Sequence, residues 1–366
     1  MNVKLKDVAS FAKGSQINGE DLLNDAKYVY LNGGINPSGK WNDYNVESET
    51  ITISEGGNSC GYVNFMKEPF WCGAHCYFLY HVSGNKKYLY YALKSQQNRL
   101  MRLRNGACMP NIKKNDLKNF MFTYEDDIEK QEDIVRKLEH LENCIDLSQE
   151  EMGRLDLLVK SRFIEMFGDP IKNPRKWKVV TVKDIATDVR YGTSKASVEG
   201  GKYPYLRMNN ITSDGHLDMT DLKYIDIQDD EKEKCVVRKG DVLFNRTNSI
   251  ELVGKTAVFN LMQEMVIAGY IIRVRLGNEL LPDIFAQYMN LEALKRILRN
   301  MAKGAVNQAN INAKELQSLR VFVPPLELQC KFIDFAQEVD KSKLAVKESL
   351  EKLETMKKAL MQQYFG

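Results

Sequence analysis

The chain has 366 residues, of which 28% are charged, and its formal net charge at pH 7 is only +3. That length suits about two or three domains. The absence of an apolar run of about 18 residues excludes a transmembrane helix. The absence of an apolar signal core near Met1 predicts a cytoplasmic protein. Seven cysteines, odd in number and scattered, favour reduced thiols over a disulfide framework.

The first globular segment, residues 1–124, is predicted to be mixed α/β. Runs rich in β-branched and aromatic residues occupy 50–53, 60–65 and 76–82, with turn residues between them, and each is expected to form a strand. Residues 86–103 place apolar side chains at helical spacing and are expected to form a helix.

A long charged segment follows, in which one row of positions recurs at alternating spacings of four and three. This row is the first seam: Ile134, Leu138, Leu141, Ile145, Ser148, Met152, Leu155, Val159, Arg162 and Met166. Eight of the ten are apolar, which is the heptad pattern of a coiled-coil helix. A helix of about 40 residues, or about 60 Å, cannot bury such a stripe alone.

The second globular segment, residues 171–322, repeats the mixed pattern. Four runs are expected to be strands: 203–209, 241–247, 255–260 and 265–276. Residues 281–304 are expected to form a helix, because Pro282 stands near its start and Gly304 just past its end.

The chain contains an internal repeat. Adding 198 to each position of the first seam gives a second seam, again with eight apolar residues of ten: Phe332, Ala336, Val339, Lys343, Val346, Leu350, Leu353, Lys357, Leu360 and Tyr364. The same offset relates Gly106-Ala107 to Gly304-Ala305, Gln131 to Gln329, and Phe167-Gly168 to Phe365-Gly366. The predicted order is therefore globular, long helix, globular, long helix.

The matching seams predict that the two long helices pack against each other. An antiparallel pair needs only a globular domain bridging one end, whereas a parallel pair needs a return of about 60 Å. We therefore expect an antiparallel coiled coil with the globular domains at opposite ends, related by a pseudo-twofold axis. The alternative is that each helix packs on its own domain.

Charge is distributed in blocks. Residues 1–124 carry 15 Lys/Arg against 10 Asp/Glu, residues 126–167 carry 6 against 12, and residues 171–324 carry 24 against 18. Two basic blocks thus flank an acidic one. Basic blocks suit contact with phosphates, although a mild excess is also common on solvated surfaces.

The sequence offers little support for a catalytic or metal site. Cys72, His75 and Cys76 lie close together, but no second Cys-x-x-Cys pair accompanies them, so buried thiols are favoured over zinc. Further zinc ligands would have to come from Cys60, His81 and Cys108. The glycine-rich run 56–61 has no following Lys-Ser/Thr, which disfavours a phosphate-binding loop.

What remains is binding by polar turns. Side chains of Arg, Asn and Gln can pair with base edges, and Lys, Ser and Thr suit phosphates. The DNA-binding candidates are Lys40, Asn42, Tyr44, Asn58, Ser59, Thr193, Lys195, Arg207, Asn209, Arg246, Asn248, Lys303, Asn307 and Gln308. For Arg246, a salt bridge to a nearby acid is an equally good interpretation. Two such domains at a fixed separation would recognise a bipartite, gapped DNA site.

At this point the sequence resembles the DNA-specificity subunit of type I restriction–modification systems. The resemblance is carried by VPPLELQ (323–329), KKALMQQYFG (357–366), GDVLFNRTNSIELVGKTAVF (240–259) and the Gly-Ala-x-x-x-x-Asn-Ile run (304–311). It implies an α+β fold with two target recognition domains, each with a curved antiparallel sheet, at 1–124 and 171–322. It also implies conserved helical spacers at 125–170 and 323–366.

The resemblance further implies a subunit without catalysis of its own. It would bind double-stranded DNA and scaffold two modification subunits that methylate adenine N6, each using S-adenosylmethionine. Restriction subunits, which use ATP, could join the same complex. The chain itself would need no cofactor or metal and no membrane.

The first half departs from the family pattern. It has no Pro-Pro before its helix and no clear counterpart of 240–259, with 54–63 in roughly that place. The two domains are therefore predicted to recognise different half-sites. Two alternatives stay open, a self-contained DNA-binding or nuclease enzyme and a coiled-coil scaffold that binds no DNA.

Overall fold

The computed structural model describes residues 1–106, 110–305 and 308–366. The chain divides into two compact units. Unit 1 comprises residues 1–149 and 348–366, and unit 2 comprises residues 150–347. Within the described residues, no helix combines the length and the apolar character that crossing a membrane requires.

Unit 1 is built from nine described strands and four short helices before the first long helix. The strands are β1 (Asn2–Lys4), β2 (Ser10–Lys13), β3 (Tyr28–Leu31), β4 (Gly39–Trp41), β5 (Thr50–Ser54), β6 (Val63–Met66), β7 (Trp71–Cys72), β8 (Cys76–Tyr80) and β9 (Met121–Thr123). The helices are α1 (Leu5–Val8), α2 (Lys86–Ser95), α3 (Gln97–Arg102) and α4 (Lys114–Lys118), followed by the long helix α5 (Ile128–Phe167).

Unit 2 repeats this sequence of elements with additions. Its strands are β10 (Lys178–Thr181), β11 (Ala186–Tyr191), β12 (Tyr203–Leu206), β13 (Lys223–Ile225), β14 (Val236–Val237), β15 (Val242–Asn245), β16 (Thr247–Asn248), β17 (Thr256–Val258), β18 (Met265–Ile267), β19 (Ile271–Leu276), β20 (Lys303–Ala305), β21 (Gln308–Asn310) and β22 (Arg320–Val323). Its helices are α6 (Val182–Ile185), α7 (Asp229–Cys235), α8 (Pro282–Asn290), α9 (Glu292–Met301), α10 (Ala313–Ser318) and the long helix α11 (Leu326–Phe365).

The two units share one sheet plan. The main sheet has the order β2-β8-β5-β6 in unit 1 and β11-β19-β15-β17 in unit 2, with every pair antiparallel. A second sheet contains β4-β3-β7 in unit 1 and β13-β12-β18-β14 in unit 2. A two-stranded pair, β1-β9 or β10-β22, precedes each long helix. The internal repeat found in the sequence is therefore also a repeat of topology.

Several sequence expectations need correction, among them the run 241–247, which is divided between β15 and β16 of different sheets. The sheets are not wholly antiparallel, because β3 pairs with β7 and β12 with β18 in parallel. The run 265–276 is two strands in different sheets, because the chain turns between Ile267 and Ile271. The predicted helices 86–103 and 281–304 are each two helices, interrupted at Gln96 and at Leu291. The latter adopts an extended backbone (ψ 142°) while its side chain is buried in the core, and the second helix ends at Met301.

A buried glutamine fixes the start of each long helix to its unit. In unit 1, Oε1 of Gln131 accepts the N–H of Asn85, which caps α2 (2.8 Å). In unit 2, Oε1 of Gln329 accepts the N–H of Leu281, which caps α8, also at 2.8 Å. Both glutamines are fully buried. The repeat therefore preserves a specific contact between elements.

Segments of both long helices contribute to each unit. In unit 1, Lys357 of α11 pairs with Glu142 of α5 (2.7 Å), and the ring of Phe365 lies 5.2 Å from that of Tyr88. In unit 2, Lys343 of α11 pairs with Asp156 of α5. All positions of the two predicted seams are buried or half-buried. Of the non-apolar seam residues, Lys343 and Lys357 are thus each neutralised by an acid on the other helix.

Candidate nucleic-acid interface

Several strand ends and one turn meet at one place in unit 2. β11 ends at Tyr191, and β15 ends just before Arg246. The turn between β18 and β19 donates the N–H of Gly269 to the carbonyl of Thr193 (2.7 Å). The carbonyl of Tyr270 in the same turn accepts the N–H of Arg246 (2.9 Å). These bonds hold the three backbone segments together, and we call the assembly the unit 2 loop junction.

Arg246 is the cation of this junction. Its guanidinium lies over the ring of Tyr191, 5.0 Å from the ring centroid, and its Nη1 lies 3.4 Å from the carbonyl oxygen of Gly269. Across residues 1–106, 110–305 and 308–366, its Nε has no hydrogen-bond partner and no carboxylate forms a salt bridge with it. The salt bridge considered from the sequence is therefore not formed. The Nε atom is itself buried, so contact with a ligand falls to the two Nη groups, whose planar fork suits paired acceptors.

Two exposed tyrosines that sequence reasoning missed contact Arg246, Tyr191 through its ring and Tyr270 through its backbone carbonyl. Tyr191 is 42% exposed and Tyr270 is 50% exposed. The hydroxyl of Tyr191 accepts the N–H of Ala313 (2.7 Å), which fixes its ring. Such rings offer apolar contact or stacking beside an arginine. The sequence signals that could have identified them are the position of Tyr191 at a strand end and that of Tyr270 in the turn before β19.

The hairpin of β20 and β21 also lies beside Arg246. The carbonyl of Arg246 accepts the N–H of Ile311 (2.9 Å), and β16 pairs with β21 so that Asn248 lies opposite Ala309. Nδ2 of Asn248 donates to Oδ1 of Asn245 (3.0 Å), and Gln308 is exposed. The structure thus brings Arg246, Asn248 and Gln308 into one region. For the remaining two hairpin candidates, the Lys303 side chain and Asn307 lie outside the described residues.

Other unit 2 candidates are held by carboxylates. Nζ of Lys195 lies 2.5 Å from Glu231, and its proximity holds the pKa of that carboxyl below its ordinary value. Nη2 of Arg207 lies 2.7 Å from Asp221 and likewise lowers the pKa of that carboxyl. Asn209 is exposed in a short 3-10 turn. Of these basic residues, Arg246 differs in having no such acidic partner among the described residues.

Unit 1 has an equivalent loop junction with different side chains. Here β2 ends at Lys13, and Glu55 follows directly after β5. The N–H of Glu55 donates to the carbonyl of His75 (2.9 Å), as Arg246 does to Tyr270. The carboxylate of Glu55 pairs with the ammonium of Lys13, and its Oε2 lies 3.6 Å from Nδ1 of His75. Neither Glu55 nor Lys13 was among the residues that the sequence suggested.

The unit 1 candidates occupy two places. Lys40, Asn42 and Tyr44 are exposed on or just after the edge strand β4. Asn58 and Ser59 lie in the turn that follows β5, where Asn58 is exposed. Oγ of Ser59 donates to the carbonyl of Gly33 (2.6 Å), so this hydroxyl supports the loop after β3.

The cysteine cluster does not form a metal site in the described part of the chain. No group of three or more His, Cys, Asp or Glu side chains there is arranged to hold a metal ion. Cys72 is buried and donates to the carbonyl of Cys76 (3.4 Å). The neighbouring thiol of Cys76 and burial both raise the pKa of Cys72, which favours an inert thiol. Cys108 lies outside the described residues.

Comparison with known proteins identifies the family of this duplicated α+β chain. Residues 1–155 and 174–355 match the model of the type I restriction modification DNA specificity domain. The chain therefore belongs to this family, and the resemblance seen in its sequence is confirmed.

Curated relatives carry related names. The chain is 32% identical over 196 residues to the putative type I restriction enzyme MjaX specificity subunit of Methanocaldococcus jannaschii, covering 52% of this chain and 46% of that protein. It is 25% identical over 255 residues to the type I restriction enzyme EcoKI specificity subunit of Escherichia coli, covering 65% and 54% respectively. The matched part thus spans about half the length of these relatives.

Solved structures share the fold over the whole chain. The S subunit of a type I restriction–modification system from M. genitalium superimposes with a TM-score of 0.59 at 21% identity, covering 100% of this chain and 96% of that one. A structure of a type I R-M system, solved for its complex assembly and conformational transition, gives a TM-score of 0.57 at 19% identity and covers 100% and 97%. The predicted α+β fold with two repeated domains is confirmed.

Proposed function

We propose that this protein is the sequence-specificity subunit of a type I restriction–modification complex, and that each unit recognises one half of a bipartite, gapped DNA site. One observation carries the proposal. Both units use the same sheet plan to build the same loop junction, yet they place different polar side chains there. A duplicated scaffold with different side chains at matched positions suits two half-sites of different sequence.

The catalytic steps are assigned to partner subunits. The relatives are named specificity subunits of restriction enzymes, and this chain belongs to their family. We propose that it scaffolds two modification subunits that bind S-adenosylmethionine and methylate adenine, each in one half-site. Restriction subunits using ATP could join the same complex. Extrusion of the adenine from the duplex would then belong to the modification subunits.

We also propose that α5 and α11 form one antiparallel coiled coil that relates the two halves by a pseudo-twofold axis. The ion pairs support this direction. Glu142 and Asp156 follow each other towards the C-terminus of α5. Their respective partners, Lys357 and Lys343, follow each other towards the N-terminus of α11, an order that supports opposite directions for the two helices. The heptad seams, buried or half-buried throughout, give both helices the apolar stripe that such a pair requires.

Cysteine cross-linking tests the direction of the helices. In a variant whose exposed or half-exposed Cys144 and Cys330 are replaced by Ser, the pairs Glu142→Cys with Lys357→Cys and Asp156→Cys with Lys343→Cys are expected to cross-link within one chain. As a control, Glu142→Cys with Lys343→Cys is expected not to cross-link. A reversed result, with cross-linking only in the control, would contradict the antiparallel arrangement.

The function is tested by mapping methylated adenines across a genome in cells that express the modification subunit with or without this chain. We expect a gapped, asymmetric motif that disappears when the chain is removed. DNA affinity of the purified complex should fall steeply with salt, because phosphate contacts release counterions. Binding of the modification subunit without any DNA affinity would instead favour a pure scaffold.

A further inference from the structure

The two loop junctions carry opposite charge at the same backbone position. Glu55 and Arg246 each directly follow a central strand of the main sheet. Each donates its N–H to the carbonyl of the adjacent turn, at 2.9 Å in both units. The backbone carbonyls of Glu55 and Arg246 in turn accept the N–H groups of Ile112 and Ile311, respectively, again at 2.9 Å. The preceding residues, Ser54 and Asn245, also match. Their N–H groups donate to backbone carbonyls beyond the next turn, at 2.9 and 2.8 Å respectively.

The neighbours of this position change together with its charge. In unit 2, the guanidinium of Arg246 lies over the ring of Tyr191, and its backbone N–H is bonded to the backbone carbonyl of the exposed Tyr270. In unit 1, the corresponding strand end and turn supply Lys13 and His75, which face Glu55. The two junctions therefore combine one backbone frame with two complementary chemistries.

We propose that Glu55 and Arg246 determine base choice in their respective half-sites. Arg246 recognises a base with two acceptors on its major-groove edge, which is guanine through N7 and O6. Glu55 recognises cytosine through its N4 amino donor, because adenine, which also presents an amino donor on this edge, places the acceptor N7 beside it and so disfavours a carboxylate. The assignment rests on the proposed function, and it explains why a shared scaffold can recognise different half-sites.

The surroundings of Glu55 leave it able to accept such a donor. Its side chain is only 12% exposed and is paired with Lys13, so a base edge without an amino donor would leave its remaining acceptor positions desolvated and unused. A carboxylate has about four acceptor positions, and His75 is too distant at 3.6 Å to occupy one fully. Lys13 is 44% exposed, and its flexible side chain can exchange the Glu55 carboxylate for a phosphate, a common lysine contact at DNA interfaces.

The first experiment compares methylation motifs of complexes that contain wild-type chain, Glu55→Gln or Arg246→Ala. We expect each variant to relax one position of one half-site, a C for Glu55→Gln and a G for Arg246→Ala, and to leave the other half-site unchanged. Discrimination at the relaxed position should fall by about tenfold to a hundredfold. Glu47→Gln, an exposed acid of unit 1, serves as the matched control and should leave the motif intact.

Lys13→Gln separates base recognition from a structural salt bridge. If Glu55 contacts the base, loss of Lys13 lowers DNA affinity for all sequences but leaves the motif unchanged. If the ion pair only supports the fold, Lys13→Gln changes the complex in the same way as Glu55→Gln, and the proposal is overturned.

Base analogues provide a measurement on the wild-type complex that needs no variant to fold. Replacing the proposed guanine by 7-deazaguanine, or the proposed cytosine by N4-methylcytosine, should weaken binding in the corresponding half-site. Unchanged binding with every G and C replaced in turn overturns the proposal, and a response confined to adenine analogues in the unit 1 half-site overturns the cytosine assignment. A wild-type complex that yields no motif at all would instead refute the proposed function.

Discussion

At the scale of single residues, the buried Lys295 on α9 makes the stability of the protein depend on pH. Its side chain is nearly buried, and its Nζ donates to the carbonyl of Gly254 (2.6 Å). Burial lowers the pKa of Lys295 to about 7 from the ordinary 10.5. Between these two pH values the unfolded chain binds more protons, so the free energy of unfolding rises with pH. The contribution of Lys295 to the free energy of unfolding is fully present above pH 10.5 and is lost as the pH falls through 7.

Replacing Lys295 by Met should remove this pH dependence. The Met side chain fills the space of the lysine stem, and the carbonyl of Gly254 keeps the hydroxyl of Thr256 as a donor (3.1 Å). The variant's free energy of unfolding should therefore change less between pH 7 and pH 10 than that of the wild type, by on the order of 3 kcal/mol. Urea denaturation followed by circular dichroism at several pH values measures this difference.

The exposed Lys314→Met is the matched control and should leave the pH dependence unchanged. His216 gives the free energy of unfolding the opposite pH dependence, because Asp214 and, to a smaller extent, Asp340 raise the pKa of His216 from 6.5 to about 9. Its contribution is complete below pH 6.5 and is lost as the pH rises through 9. Both proteins retain His216, so the comparison cancels it. Parallel pH profiles for wild type and Lys295→Met would show that Lys295 is not desolvated.

Residue-scale reasoning from the sequence had a definite limit at the loop junctions. Arg246 could be singled out, because arginine in a polar turn suggests base contact. Its counterpart Glu55 could not, because the two positions correspond through backbone hydrogen bonds and not through similar letters. An acid in a glycine-rich turn also gives no local signal for DNA. The sequence likewise did not reveal that Arg207 and Lys195 are held by acids.

At the scale of elements, the sequence predicted the long helices and their seams well, because heptad spacing depends on local periodicity alone. The repeat offset of 198 residues paired Gln131 with Gln329, but the sequence offered no reason why either position should be a glutamine. The structure supplies one, since each glutamine accepts the N–H of the N-cap residue of a helix in its own unit and also donates to a backbone carbonyl. Breaks such as Leu291 were missed, because the burial that fixes them arises from tertiary packing.

Replacing Gln329 by Met should destabilise unit 2, and Gln131→Met should destabilise unit 1. Each change leaves a part-buried N–H of the N-cap residue and at least one carbonyl without a partner, at a cost of about 2 to 4 kcal/mol. Hydrogen exchange of α8 or α2, followed by mass spectrometry, measures the loss. Gln149→Met, at an exposed position of α5, is the control. Protection equal to that of the control would mean that water or neighbouring groups replace these hydrogen bonds.

At the scale of the whole molecule, each unit is completed by a helix that begins in the other. α5 ends in unit 2 with Phe167, which is fully buried against Phe163 and Phe332. α11 ends in unit 1 with Phe365, which is 1% exposed beside Tyr88. The repeated Phe-Gly ending of the sequence therefore marks where each helix enters a core. Sequence periodicity identified the repeat, but the exchange of helix ends between units needed the structure.

This organisation predicts that Phe365→Ala and Phe167→Ala affect different units although both lie at helix ends. Removing a buried phenylalanine costs about 3 to 5 kcal/mol. We expect Phe365→Ala to increase hydrogen exchange in β5 and β8 of unit 1, and Phe167→Ala to do so in β15 and β19 of unit 2. Each variant is the other's control, because the residue types and burial match. Equal loss of protection in both units from either change would show that the two units unfold as one and would contradict the modular organisation on which recognition of two separate half-sites depends.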